Sequence, residues 1–245
     1  MKLEIPSFEE IFSLENLYKS FKEFEKGKKF KPDVTEFKSH LVRNLLSIRT
    51  DVMSGKYKHD GYFHFKVNDP KPRDIHKASV RDRVVHHALY RVLYPYFDNK
   101  FIHDSYSCRI DKGTHRAVNR FRDFARKASK NNTKQCWVLK CDIRKFFASI
   151  DHNVLKEILT ESIIDKNILN ILDEVINSFN SIYAMAEMKK GLPLGNLTSQ
   201  ILVNIYMNDF DHYVKRELKV KYYIRYSDDF IIISQNKTEL NNLLR

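Results

Sequence analysis

Leu139-Lys140-Cys141-Asp142-Ile143 and, further on, Tyr226-Ser227-Asp228-Asp229-Phe230-Ile231-Ile232-Ile233 are the stretches on which the fold turns. Each sets a carboxylate at the end of a run of residues that favour buried strands. The second reads as two apolar strands, 221–226 and 230–234, joined by Ser227-Asp228-Asp229. Adjacent aspartates at the tip of a packed hairpin repel one another, and a divalent cation is the strongest counter-charge available. If the strand ending at Asp142 lies beside that hairpin, three carboxylates converge, the set needed for two Mg2+ ions roughly 3.5–4 Å apart. Mg2+ prefers a few carboxylates plus substrate phosphates to an all-protein cage, which fits a nucleotide substrate. The plain alternative is a turn with two solvated aspartates and a helix N-cap at Asp142, both common uses of aspartate.

Working outward, residues 7–26 and 34–54 carry apolar residues at helical spacing, with Gly55 as the stop of the second helix. Phe63, Phe65 and Val67 alternate as in a strand, and the turn 68–72 leads to a short extended piece, Arg73 to Lys77. A helix is expected over 80–94, limited by Pro95, and another around Ala117 to Ala128. After the loop 130–134 and the strand 137–141 come helices over 152–162 and 165–179. Gly191-Leu192-Pro193-Leu194-Gly195 breaks the pattern before a long helix over 197–218. Helices and strands segregated in this order predict an α+β fold.

The 245 residues suit one or two domains, and 42% hydrophobic with 13% aromatic residues describes a folded chain. No apolar run reaches the roughly 18–20 residues needed to span a bilayer, and Met1 to Pro6 does not read as a signal peptide. The expectation is therefore a cytoplasmic protein with no membrane partner. Cys108, Cys136 and Cys141 show no CxxC pairing and read as free thiols. Adjacent His86-His87 would diverge on a helix, which argues against a histidine metal site. A formal net charge of +12, with cations beside aromatics as in Phe63-His64-Phe65-Lys66, favours a polyanionic partner.

Taken together, these segments resemble the reverse-transcriptase family from about Tyr57 to Ser234. Arg73-Asp74-Ile75-His76-Lys77, Arg81 through Leu89, Phe101 through Arg109 and Gly113-Thr114-His115-Arg116-Ala117 look like its finger segments. Leu139 through His152 is similar to its first catalytic motif, and Tyr226-Ser227-Asp228-Asp229 to its YxDD box. The resemblance implies an α+β right-hand polymerase in which an antiparallel palm sheet is packed with helices. Residues 1–135 would form N-terminal helices and fingers, and 136–245 a palm without a thumb, packed as one unit.

The same resemblance implies the roles of the residues. Asp142, Asp228 and Asp229 would be the catalytic metal ligands, assisted by the Ile143 carbonyl, for two ions of Mg2+ or Mn2+. The Lys145 and Phe146 amides would face the triphosphate, Arg73 would clamp phosphate, and Phe147 would be the bulky gate against a ribose 2′-OH. One of Phe146 and Phe147 is expected to be plain core. Leu194, Gly195 and Gln200 would also line the nucleotide site. The implied partners are template RNA, a primer with its growing complementary DNA, and deoxynucleoside triphosphates.

Leu194-Gly195 with Ser199-Gln200 is similar to the enzymes of diversity-generating retroelements, which copy RNA with errors at adenines and use a small basic accessory protein. The rivals are a group II intron-like or retron-like enzyme of ordinary fidelity and a non-catalytic RNA-binding module of the same fold.

Overall fold

The computed structural model describes residues 5–68, 71–181 and 189–243. Its chain forms two compact units that interleave: Met1–Asn99 with Phe147–Leu202, and Lys100–Phe146 with Val203–Arg245. The division expected from the sequence, 1–135 and 136–245, follows functional regions and is a different partition from these contact units. Such interleaving is set by tertiary contact, which no local composition change announces.

In the first unit, α1 (Phe8–Ile11) and α2 (Leu14–Glu25) replace the single helix expected over 7–26. The break is Ser13, whose hydroxyl donates to the Glu10 carbonyl at 2.9 Å, closing α1, and accepts from the Asn16 amide, opening α2. The expected helix 34–54 divides likewise into α3 (Pro32–Ser39) and α4 (Leu41–Met53) at His40. There Asn44 donates its side-chain amide to the Phe37 carbonyl at 2.8 Å, satisfying an end that would otherwise be orphaned.

β1 (Phe63–Asn68) and β2 (Pro72–Lys77) form an antiparallel hairpin with Phe63 opposite Lys77 and Val67 opposite Arg73. Of the turn between them, Asp69 and Pro70 lie outside the described residues. Phe63, Phe65 and Val67 alternate as expected yet stay exposed, Phe63 to 69%. The helix α5 (Val80–Asp98) does not stop at Pro95 but carries it inside its last turn. So near the end Pro costs a single hydrogen bond. Burial of Tyr94 and Phe97, with the Tyr96 hydroxyl on the Ser162 carbonyl at 3.0 Å, holds that turn. The apolar faces of α1 to α4 pack on α5. The unit is completed by α8 (His152–Ser162) and α9 (Lys166–Asn177), which pack together.

In the second unit, β3 (Trp137–Asp142), β4 (Tyr222–Tyr226) and β5 (Asp229–Ser234) form one antiparallel sheet in the order β3-β5-β4. Alternation gives it two faces. On one, Ile224 and Ile233 meet Phe124 and Ala128 of α6 (Thr114–Ala128). On the other, Tyr223 and Ile232 meet Val214 and, from α11 (Lys237–Asn242), Leu240. α10 (Leu197–His212) starts in the first unit and ends in the second. The helix expected to reach 218 changes there to a π turn, Tyr213–Glu217, where the Lys215 ammonium caps the Val220 and Lys221 carbonyls at 3.0 Å. The short α7 (Phe146–Ser149) follows β3. Among the described residues no helix is long and apolar enough to cross a membrane.

Candidate active site

The sheet register decides the site. Asp142, the last residue of β3, is the direct cross-strand partner of Asp229, the first of β5, and Tyr226 lies opposite Asp229 on its other side. Directly opposed residues of antiparallel strands have Cβ atoms about 4.5–5.5 Å apart, and like charges so placed are destabilising. Asp228 stands one residue away, in the turn. Its preceding residue, Ser227, takes φ +59°, which lets two residues reverse the chain.

The electrostatics agree with the geometry. Asp228 is held above the ordinary carboxylate range, first by burial, then by the charges of Asp142 and Asp229. Hydrogen bonds from its own amide and from Ser227 offset part of this. Lys140, two residues before Asp142 on the same strand face, sets its ammonium 3.6 Å from Asp229. One exposed ammonium against three carboxylates leaves the cluster net negative.

An all-oxygen donor set of this kind suits a hard cation. Among the described residues no three His, Cys, Asp or Glu side chains, Asp142, Asp228 and Asp229 included, stand close enough together to hold a metal ion. What strand register supplies is three neighbouring carboxylates and no closed structural cage. Asp142, Asp228 and Asp229 would hold such ions, and Ile143 follows Asp142 immediately.

The other sequence-derived site residues fall in two sets. Lys145 and Phe146 belong to the second unit with the carboxylates. Lys145 takes φ +53° and turns the chain from β3 into α7, while Phe146 is buried to 4% exposure and is the core member of the Phe pair. Phe147, half-buried, belongs to the first unit with Arg73, Leu194, Gly195 and Gln200. There the Leu194 carbonyl accepts from the His76 amide at 3.1 Å, and the Asn196 side chain donates to the His76 carbonyl at 3.0 Å. The Leu194-Gly195 backbone thus runs along the strand that carries Arg73. Gly195, at φ +102°, leaves no room for more: a Cβ there would stand 3.0 Å from Ile75 Cγ2.

Sequence reasoning missed what lies beneath the hairpin. Arg225, with 0% exposure, donates from Nε to both Asp211 oxygens at 2.8 and 3.0 Å and from Nη2 to Asp211 Oδ2 at 2.7 Å. Its remaining donors reach Ser105 Oγ at 3.2 Å, Asn204 Oδ1 at 3.2 Å and the Ser227 carbonyl at 3.0 Å. The Tyr223 hydroxyl gives Asp211 another bond at 2.6 Å. The signal was present: a charged residue on the core-facing phase of Tyr222-Tyr223-Ile224-Arg225-Tyr226 needs a buried partner.

Comparison with known proteins agrees with this reading of the fold. A family model described as reverse transcriptase (RNA-dependent DNA polymerase) matches residues 65–245. Protein YkfC of Escherichia coli (strain K12) is 24% identical over 183 residues, covering 74% of this chain and 48% of that protein. The putative COX1/OXI3 intron 2 protein of Saccharomyces cerevisiae is 26% identical over 152 residues, 60% of this chain and 17% of the other. The chain thus spans about half the length of the first of these relatives and less of the second. Among solved structures, a partial Cas6-RT-Cas1–Cas2 complex aligns over 93% of this chain and 38% of its own, with TM-score 0.51 and 22% identity. Telomerase from Candida albicans, in complex with a fragment of telomeric RNA, aligns over 76% of this chain and 40% of its own, with TM-score 0.53 and 12% identity.

The repulsion at the hairpin has a measurable consequence. A carboxylate whose folded pKa is raised costs stability while ionised, and that cost fades as pH falls through the folded value toward the unfolded one. Asp228→Asn is therefore expected to raise the unfolding temperature at pH 7 without divalent ions. The gain should shrink as the pH drops through the titration of Asp228, and Mg2+ should shrink it too. A thermal melt series over pH checks this; a variant less stable than the parent at pH 7 contradicts it.

Proposed function

This chain belongs to the reverse transcriptase family, and from that premise we propose that it adds deoxynucleotides to a primer 3′-OH as directed by an RNA template. The observation that carries the proposal is the opposition of Asp142 and Asp229 with Asp228 at the adjoining turn. Bound there, Mg2+ would activate the attacking oxygen and stabilise the leaving one. The chain's own part is to hold three carboxylates together against repulsion and to select the nucleotide. Phe147 excludes a 2′-OH by bulk, and Arg73 offers a planar guanidinium to phosphate.

Nucleic acid has surfaces to rest on in both units. Exposed Phe63 and Phe65 share the hairpin with Arg73, an aromatic-and-cation combination suited to single strands. Arg116, Arg122, Arg126 and Lys127 are exposed along α6.

Within this activity, Leu194 supports error-prone copying in a diversity-generating retroelement, with a small basic accessory protein as partner. An apolar side chain at the nucleotide cannot make the hydrogen bond that an amide could, a difference of about 0.5–1.5 kcal/mol. The intron-protein relatives favour a second reading, an intron-associated enzyme of ordinary fidelity.

Primer extension on an RNA template in Mg2+ tests the activity. Asp142→Asn and Asp228→Asn are each expected to lower it by about a hundredfold or more, since each carboxylate neutralises charge developing in the transition state. Near-parental extension by Asp228→Asn sinks the assignment. Sugar choice is read from the same assay: Phe147→Ala should admit ribonucleotides, whereas Phe146→Ala should damage folding without changing the deoxy-to-ribo preference. Fidelity separates the two finer readings. Sequenced products should show adenine errors that fall with Leu194→Gln; a parent chain that already copies adenines accurately moves it to the intron-like reading.

A further inference from the structure

Among the described residues Arg225 is the bulkiest side chain that is fully buried, and it lies three positions before Asp228. A guanidinium is an expensive way to fill a strand's inner face. Well-packed apolar residues of similar volume are often neutral or stabilising replacements for a buried ion pair. What an apolar residue cannot do is reach the turn. Arg225 Nη1 donates to the Ser227 carbonyl at 3.0 Å, while Asp211 holds the other edge of the guanidinium through Nε and Nη2.

The Ser227 carbonyl and the Asp228 amide belong to one planar peptide unit, so fixing one fixes the other. The plane is thus held by Arg225 on one edge, and the Cα that carries the Asp228 side chain lies in it. The strand around Arg225 is itself clamped: its amide donates to the Asp104 carbonyl at 3.0 Å, and its carbonyl accepts from the Tyr106 amide at 2.9 Å. Ser227 sits at φ +59°, a conformation that non-glycine residues adopt rarely and that needs support from around it.

We propose that Arg225, buttressed by Asp211, is the positioning residue of the catalytic hairpin, fixing the Ser227–Asp228 peptide plane and so aiming the Asp228 carboxylate. The proposal rests on the reading of Asp142, Asp228 and Asp229 as metal ligands. Its test uses the whole 245-residue chain and a readout that does not require polymerisation: Mn2+ binding followed by electron paramagnetic resonance. Arg225→Lys keeps a charge opposite Asp211 but loses the rigid planar fork whose two edges span Asp211 and the Ser227 carbonyl. Partners behind metal ligands typically change affinity by about 10–100-fold, and Arg225→Lys is expected to weaken Mn2+ binding by about tenfold or more. Ser105→Ala, which removes one acceptor from Nη2, should act in the same direction by a smaller factor, and stands in should Arg225→Lys not unfold cooperatively. Ile233→Val lowers stability within the same sheet without touching the network, and should bind Mn2+ as the parent does. Parental affinity in Arg225→Lys, or in Ser105→Ala where it stands in, overturns the proposal. So does equal weakening by Ile233→Val, which would mark a loss of stability alone. Asp228→Asn separates the two levels: if it leaves Mn2+ binding unchanged, the carboxylate site itself is wrong, and the proposal falls with it.

Discussion

Like-charge repulsion at one end of a three-stranded sheet is the constraint around which the second unit is built. Asp142 and Asp229 are set opposite one another by strand register, and Asp228 follows from the tightness of the turn. Lys140, 3.6 Å from Asp229, offsets only part of that repulsion in the absence of a divalent cation. It persists because the strands are tied down elsewhere: Phe230, Ile231, Ile232 and Ile233 pack on one or other face of the sheet. Ile232 and Ile233 are buried, at about 1.5–3 kcal/mol each, and Phe230 and Ile231 partly so, enough in sum to outweigh the repulsion of partly solvated carboxylates.

Apolar packing fixes the strands but not the turn, and there the Arg225–Asp211 pair acts. Losing one partner of a buried pair typically costs about 3–5 kcal/mol, because the other charge is left without compensation. The pair is therefore a poor source of net stability and a strong source of geometric definition, since very few arrangements satisfy every donor of the guanidinium. Asn204, Ser105 and Tyr223 complete the arrangement with bonds of 2.6 to 3.2 Å. Rigid support beneath an electrostatically unfavourable cluster is what a site needs if its charge is to be neutralised only by metal and substrate.

Much of this was legible in the sequence because it is local. Apolar runs ending at Asp142 and flanking Asp228-Asp229 specify strands and their ends, and the pleat then dictates which side chains share a face. The helical spacing before Met53 was equally clear, but the breaks at Ser13 and His40 were not. They depend on side-chain bonds to backbone that compete with a continuous helix. Pro95 misled in the opposite direction, since burial of its neighbours in the last turn outweighs one lost bond. The alternation of Phe63, Phe65 and Val67 gave the strand but not its exposure, because periodicity reports a face and not what covers it. Arg225's partners, from residues 105, 204 and 211, come from segments far apart in the chain, and no spacing rule connects them.

In the proposed activity Asp142, Asp228 and Asp229 would form a divalent-cation site completed by nucleotide phosphates. Anomalous scattering from crystals grown with Mn2+ and a non-hydrolysable deoxynucleoside triphosphate measures this most directly. The expected result is manganese peaks in contact with the carboxylates of Asp142 and Asp228, bridged to phosphate oxygens. An ordered triphosphate with no manganese at these carboxylates, or with its manganese held by other residues, would contradict it.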